Sequence, residues 1–162
     1  MTMEKSDIIL LTETKGVPPT IEGVKWFHKQ RKYAKGGGVA IGLKDHIAKF
    51  AKIITPNEDP DQEIIWTSID IPQRRKTLLG CFYGPQETAQ KENVVNQYEH
   101  LTTQIELLSQ QGIVILGGDF NAKLEEKSEH HKQATSRNGK YLEEMMNKKG
   151  MNKANNKINC DY

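Results

Sequence analysis

The spacing of apolar and polar positions changes several times along the chain, and each change marks an element. Asp7-Ile8-Ile9-Leu10-Leu11-Thr12-Glu13 and Gly112-Ile113-Val114-Ile115-Leu116-Gly117 hold continuous apolar runs, the pattern of short strands buried on both faces. Gly16-Val17-Pro18-Pro19 breaks regular structure after the first of them. Val39, Ile41 and Leu43 alternate with small residues behind Gly36-Gly37-Gly38, which predicts a turn feeding a strand with one large face. Ile53-Ile54 predicts another short strand, and Pro56-Asn57-Glu58-Asp59-Pro60-Asp61 a polar turn. Residues 63–71 and 76–83 are strand-like and flank Pro72-Gln73-Arg74-Arg75, as in a hairpin. The period becomes helical over residues 88–111, where Val94, Tyr98, Leu101, Ile105 and Leu108 share one stripe. Thr88 suits the N-cap of that helix and Gly112 its C-terminal glycine. A second helix is expected over residues 138–149, with Leu142, Met145 and Met146 as its apolar face. Lys148 and Lys149 stand near the negative end of its dipole, and Gly150 stops it.

Composition narrows the class. A chain of 162 residues, 36% hydrophobic and 27% charged, fits one soluble domain able to build a core without disulfide or metal staples. No apolar run approaches the about 18 residues of a membrane span, and no signal-type hydrophobic region follows Met1. Cys81 sits in an apolar run and Cys160 almost at the end, without framework spacing, which reads as two reduced thiols of an intracellular protein.

A net charge of +2 attracts polyanions weakly, so local clustering has to carry any nucleic-acid argument. Residues 24–35 supply it: Lys25, Lys29, Arg31, Lys32 and Lys35 interleave with Trp26, Phe27, His28 and Tyr33, and no acid intervenes. Cations for phosphate and rings for unstacked bases are one reading of this segment. A half-exposed strand with a solvated face is the other. The triple glycine lacks the Gly-Lys-Ser/Thr ending of a P-loop, and a turn explains it better. Glu125, Glu126, Glu129, His130 and His131 form a solvated loop rather than a metal site, because adjacent histidines point apart and no second ligand pair follows.

Candidate chemistry stands at strand ends. Glu13 closes the first apolar run, Tyr83-Gly84-Pro85 closes the hairpin, and Asp119 and Asn121 follow the second run. Asp119 and Asn121 are two apart, so an extended backbone points them the same way; a purely local Asx turn is the competing explanation. In layered α/β proteins such ends converge on one edge. One carboxylate together with substrate phosphate oxygens suits Mg²⁺, and that chemistry points to phosphoester hydrolysis.

Leu11-Thr12-Glu13-Thr14-Lys15, Tyr83-Gly84-Pro85 and Gly117-Gly118-Asp119-Phe120-Asn121, in this order with a Gly-Gly-Gly-Val strand between the first two, resemble the endonuclease/exonuclease/phosphatase superfamily. Trp26-Phe27 and Arg137-Asn138-Gly139-Lys140-Tyr141-Leu142 are similar to its branch in non-LTR, LINE-type retrotransposons. The resemblance covers nearly the whole chain. It implies an α/β (α+β) fold, a four-layer αββα sandwich of mainly antiparallel sheets, incomplete in this chain. It also implies roles: Glu13 holding Mg²⁺ or Mn²⁺, Asp119 orienting or deprotonating the attacking water, Asn121 positioning nucleophile or phosphate, and Tyr83 hydrogen-bonding the phosphate. The implied reaction is nicking of DNA by a monomeric, intracellular and, if functional, nuclear enzyme that needs no membrane. Residues 25–35 then become candidates for DNA contact.

The chain departs from that family's pattern at both ends. Only six residues precede Asp7, where family members carry a strand with an Asn of the site, and nothing after the second helix matches their later Asp and terminal Asp-His pair. The expectation is a single partial domain over residues 1–162, with a non-catalytic remnant or nucleic-acid-binding fragment as the alternative. No residue pattern marks a lipid or inositol pocket of the phosphatase or sphingomyelinase kind.

Overall fold

The computed structural model describes residues 6–31, 36–57, 61–124, 126–127 and 132–154. The first apolar run forms β1 (Ile8–Thr12), the basic segment β2 (Val24–Lys29), and the strand after the triple glycine β3 (Val39–Lys44). They make a three-stranded antiparallel sheet in the order β1-β3-β2, with Leu10 opposite Ile41 and Phe27 opposite it on the other side. One turn of helix, α1 (Asp45–Ala48), leads into β4 (Ala51–Ile54). The hairpin follows as β5 (Ile64–Ile69) and β6 (Thr77–Tyr83), then α2 (Lys91–Ser109) crosses over to β7 (Ile113–Asp119). The second sheet runs β4-β5-β6-β7, antiparallel except for the parallel pairing of β6 with β7. That exception follows from connectivity, since a helical crossover returns the chain in the same direction. Two short strands, β8 (Glu126–Lys127) and β9 (Lys132–Gln133), pair ahead of α3 (Arg137–Lys149).

The expected sandwich is present, and the described residues build three of its layers. Alternation along the strands sends Val39, Ile41, Leu43 and Phe27 of the first sheet against Ile65, Ile69, Leu79 and Cys81 of the second. The opposite face of the second sheet, with Ile64, Trp66, Leu78 and Phe82, packs under Val94, Tyr98, Leu101, Ile105 and Leu108 of α2 and Leu142 and Met145 of α3. Each such burial is worth about 1.5–3 kcal/mol. Trp66 lies where a Cβ on Gly80 would come within 2.6 Å of its ring, and its indole N–H donates to the buried Gln104 Oε1 at 3.1 Å. No helix among the described residues is long and apolar enough to cross a membrane. Burial pushes the Cys81 thiol up to about 11, which keeps it an inert packing residue. Cys160 lies outside the described residues, as do Glu125, Glu129, His130 and His131 of the acidic loop.

Three expectations need correction, and the first concerns both apolar runs: among the described residues β1 is an edge strand too, with Ile8 39% exposed. The run at residues 113–116 is not buried on both faces: Val114 and Leu116 pack against the helix layer, while Ile113 and Ile115 stay 44% and 46% exposed. Among the described residues strand β7 pairs only with β6 and is an edge of its sheet. The α2 cap is Gln90, without a side-chain bond, rather than Thr88. Gly112 is needed for a different reason from helix capping, because a Cβ there would strike the Lys76 carbonyl beside the start of β7. The second helix stops as expected at Gly150, left-handed at φ 60°, and at its start Ser136 Oγ accepts from Gly139 N at 3.1 Å.

Candidate active site

The polar ends of β1, β6 and β7 meet at one edge of the sandwich. Past Thr12 the backbone enters the left-handed region at Glu13, φ 53°, and again at Lys15, φ 51°. For a residue with a Cβ this costs about 1–2 kcal/mol, so neighbours must hold it. The triple glycine does so: Gly38 O accepts from Thr14 N at 3.2 Å and Gly37 O from Lys15 N at 2.8 Å. Gly38 N in turn donates to Glu63 Oε2 at 2.8 Å. The glycine turn is thus a clamp that aims Glu13.

Strand β6 delivers Tyr83 opposite Asp119 of β7. Gly84 N donates to Asp119 O at 2.7 Å, and a Cβ on Gly84 would lie 2.5 Å from Phe120 O, so only glycine lets the two strand ends close. Asn121 is the other left-handed site residue, at φ 47°. Its N–H donates to Asp119 Oδ1 at 2.8 Å and its Nδ2 to Gly84 O at 2.8 Å. The local Asx turn and the shared site therefore coexist: the turn fixes the Asp119 carboxylate and aims the Asn121 amide.

The Tyr83 hydroxyl donates to the Glu13 carboxylate and accepts from Gln86 Nε2, the latter at 2.7 Å. The Glu13 bond raises the phenol above the ordinary tyrosine range; burial adds to this, while Asn121 and Gln86 pull the other way. The phenol therefore stays a proton donor in neutral solution. Glu13, Tyr83, Asp119 and Asn121, picked out separately from sequence, are brought together.

The basic segment is placed differently from an open cationic row. Lys25 Nζ lies 5.2 Å from the centre of the Phe27 ring, and Lys29 Nζ donates to Gln62 O at 3.1 Å. Arg31 grips Glu63 through Nε at 2.7 Å and through a terminal nitrogen. Lys32 and Lys35 lie outside the described residues. As described, β2 is a half-exposed edge strand whose cations have intramolecular contacts.

Three contributors were not singled out from sequence. Gln86 follows directly on Tyr-Gly-Pro and holds the Tyr83 hydroxyl. Glu63 anchors both Arg31 and the glycine turn. Asn138, fully buried, donates from Nδ2 to Pro85 O at 2.7 Å and Asn121 O at 3.0 Å, tying α3 to both strand ends. Its N–H donates to Glu87 Oε1 at 3.0 Å, and Arg137 donates to Ala89 O at 2.9 Å. Burial pushes the Glu87 carboxyl up, but Ser136, the Asn138 N–H, Arg137 and Lys123 together hold it below the usual carboxylate range. Only the position of Gln86 beside a strand-end motif was a signal in the sequence; the other two depend on tertiary contacts.

Among the described residues no group of three or more His, Cys, Asp or Glu converges as a ready-made metal cage. A cleft of about 410 Å³ opens beside Tyr83 and Gly84, walled in part by Gln86 and by Asn93 and Gln97 of α2.

No protein-family model and no curated protein matches the chain. Among solved structures it is similar to ANGEL2, described as a 2′,3′-cyclic phosphatase, with a TM-score of 0.54 and 17% identity, covering 72% of this chain and 40% of that one. It also matches truncated Caenorhabditis elegans TDP2, with a TM-score of 0.47 and 16% identity, over 72% of this chain and 50% of that one. The chain thus spans half or less of the length of these structures. The likeness to ANGEL2 shows a shared fold.

Proposed function

We propose that residues 1–162 form a domain that cleaves phosphodiester bonds, and that it is a metal-dependent DNA-nicking endonuclease of the non-LTR retrotransposon kind, acting in the nucleus. The observation that carries this reading is the Tyr83 hydroxyl. It joins the Glu13 carboxylate to the Gln86 amide at the edge where Asp119 also ends its strand and Asn121 holds Gly84 O. Two of these residues sit on left-handed backbone that the surrounding bonds enforce, the mark of geometry kept for a purpose. The shared fold with a protein described as a 2′,3′-cyclic phosphatase supports phosphoester chemistry as the class.

The donor set fits a hard divalent cation. Glu13 and Asp119 offer exposed carboxylates, with no thiolate or imidazole in the set. Mg²⁺ is commonly held by one or two carboxylates, with substrate phosphate and water completing the shell. Glu13 would hold it, with Mn²⁺ as a substitute, and the ion would supply charge stabilisation on the phosphate oxygens. Asp119, oriented by the Asn121 N–H, takes the proton of the attacking water as the new P–O bond forms. Breaking the P–O3′ bond releases a 5′-phosphate and the 3′ oxygen, which takes a proton from solvent water and leaves as a 3′-hydroxyl. Tyr83 donates to a non-bridging oxygen, exchanging its Glu13 partner for the phosphate, and the Asn121 amide holds the phosphate or the water.

The test is nicking of supercoiled plasmid with Mg²⁺. The chain is expected to produce open circles, and Asp119→Ala to lose at least about 100-fold in rate, the scale of a general base. Absence of nicking, or equal nicking by both proteins, would exclude catalysis by this chain and leave the non-catalytic, nucleic-acid-binding alternative.

A further inference from the structure

We propose that the cleft beside Tyr83 is a nucleobase subsite, taking the base of a nucleotide next to the cleaved phosphate, with Asn93 and Gln97 reading its edge. The proposal rests on the phosphodiesterase reading above and specifies how such a site would engage its substrate. The cleft volume of about 410 Å³ falls within the range of roughly 300–1,000 Å³ usual for small-ligand sites. It adjoins the chemistry directly, because one wall is Gln86, whose Nε2 donates to the Tyr83 hydroxyl at 2.7 Å.

Charge decides what part of a nucleotide fits. Among the described residues the one cationic side chain of the lining is Arg31, and the Glu63 carboxylate already binds it, so it is not left over to hold a phosphate. A neutral base needs no cation, and Pro85 and Ala89 give apolar surface for its face.

The amides supply the recognition. Gln97 Nε2 donates to Asn93 Oδ1 at 3.0 Å, one turn apart on α2. That bond uses the acceptor of Asn93 and a donor of Gln97, leaving Asn93 Nδ2 as donor and Gln97 Oε1 as acceptor. A neighbouring donor and acceptor complement a base edge, adenine N7 and N6 being the familiar amide partner. The platform is fixed from below: the buried Gln62 donates from Nε2 to Gln97 O at 3.1 Å, and Lys29 Nζ donates to Gln62 O at 3.1 Å.

The test needs neither metal nor turnover. The full chain in EDTA is titrated with dAMP and with deoxyribose 5-phosphate while the side-chain amide NMR signals are followed. Saturable shifts of the Asn93 and Gln97 signals with dAMP, and none with the sugar phosphate, are expected. Asn93→Leu with Gln97→Leu should weaken dAMP binding about ten-fold. Should that pair disturb the helix, Asn93→Asp alone replaces the outward donor with an acceptor and should weaken it likewise. Equal shifts with the sugar phosphate, or none with dAMP, dCMP, dGMP or TMP at millimolar concentration, would overturn the subsite. Plasmid nicking without any amide shift overturns the subsite alone; amide shifts without nicking support the subsite and count against catalysis instead.

Discussion

Tyr83 shows how a site can be assembled from one side chain that reaches its neighbours. Its ring lies in the core between the sheets while its hydroxyl meets Glu13 and Gln86 at the rim. Because the folded phenol is raised above its unfolded value of about 10, the bond to Glu13 contributes stability that is complete below about that pH. It is lost as pH rises through the folded value. A tyrosinate absorbance titration should show, beside the high-pH transition of buried Tyr98, a component that Tyr83→Phe removes and Glu13→Gln moves down toward the ordinary range. An unchanged titration in Glu13→Gln would contradict the assigned bond. The four strand-end residues were legible because a polar side chain ending an apolar run is unusual enough to notice. Glu63 was not, since nothing in its local sequence reveals what it touches, and Gln86 was marked only by its place after Tyr83-Gly84-Pro85.

At the level of elements, α3 is the brace of the site. Its N-terminus carries Asn138 against Pro85 and Asn121 and Arg137 against Ala89, so the turns after β6 and β7 are held by a helix remote in sequence. Asn138→Ala would leave two carbonyls near the buried site without their donor, and the expected cost in urea unfolding is about 1–3 kcal/mol per unsatisfied group. A loss below about 0.5 kcal/mol, the range of an ordinary surface change, would show that the brace is not needed. Glu87, depressed in the folded state, contributes stability present above its unfolded value and lost as pH falls through the folded one. Glu87→Gln should therefore flatten the acid limb of stability against pH without altering the alkaline limb. The C-terminal stop of α3 was visible in sequence because Gly150 acts at its own position, whereas the Ser136 N-cap was not picked out. The exposure of β7 was not, because the same apolar run serves a central or an edge strand and only pairing distinguishes them.

Across the whole molecule, the edges of β1 and β7 lie at the same side of the sandwich, and neither has a second strand partner among the described residues. Ile8, Ile113 and Ile115 are 39%, 44% and 46% exposed beside them. Unpaired edges with apolar flanks favour self-association. Sedimentation velocity should show weight-average mass rising with concentration, and Ile115→Lys should suppress the rise; a concentration-independent monomer would contradict this. The strands were legible from their apolar patterns and the two-sheet architecture from the resemblance that the strand-end motifs carry, whereas the limits of each sheet were set by contacts no local pattern encodes. The account as a whole requires one hard-cation site where β1, β6 and β7 end, and Mn²⁺ titration followed by paramagnetic broadening of backbone amide signals tests it most directly. Broadening is expected to begin at Glu13, Tyr83, Asp119 and Asn121 and to disappear in Glu13→Gln. Broadening centred elsewhere, or unaffected by that substitution, would contradict the site.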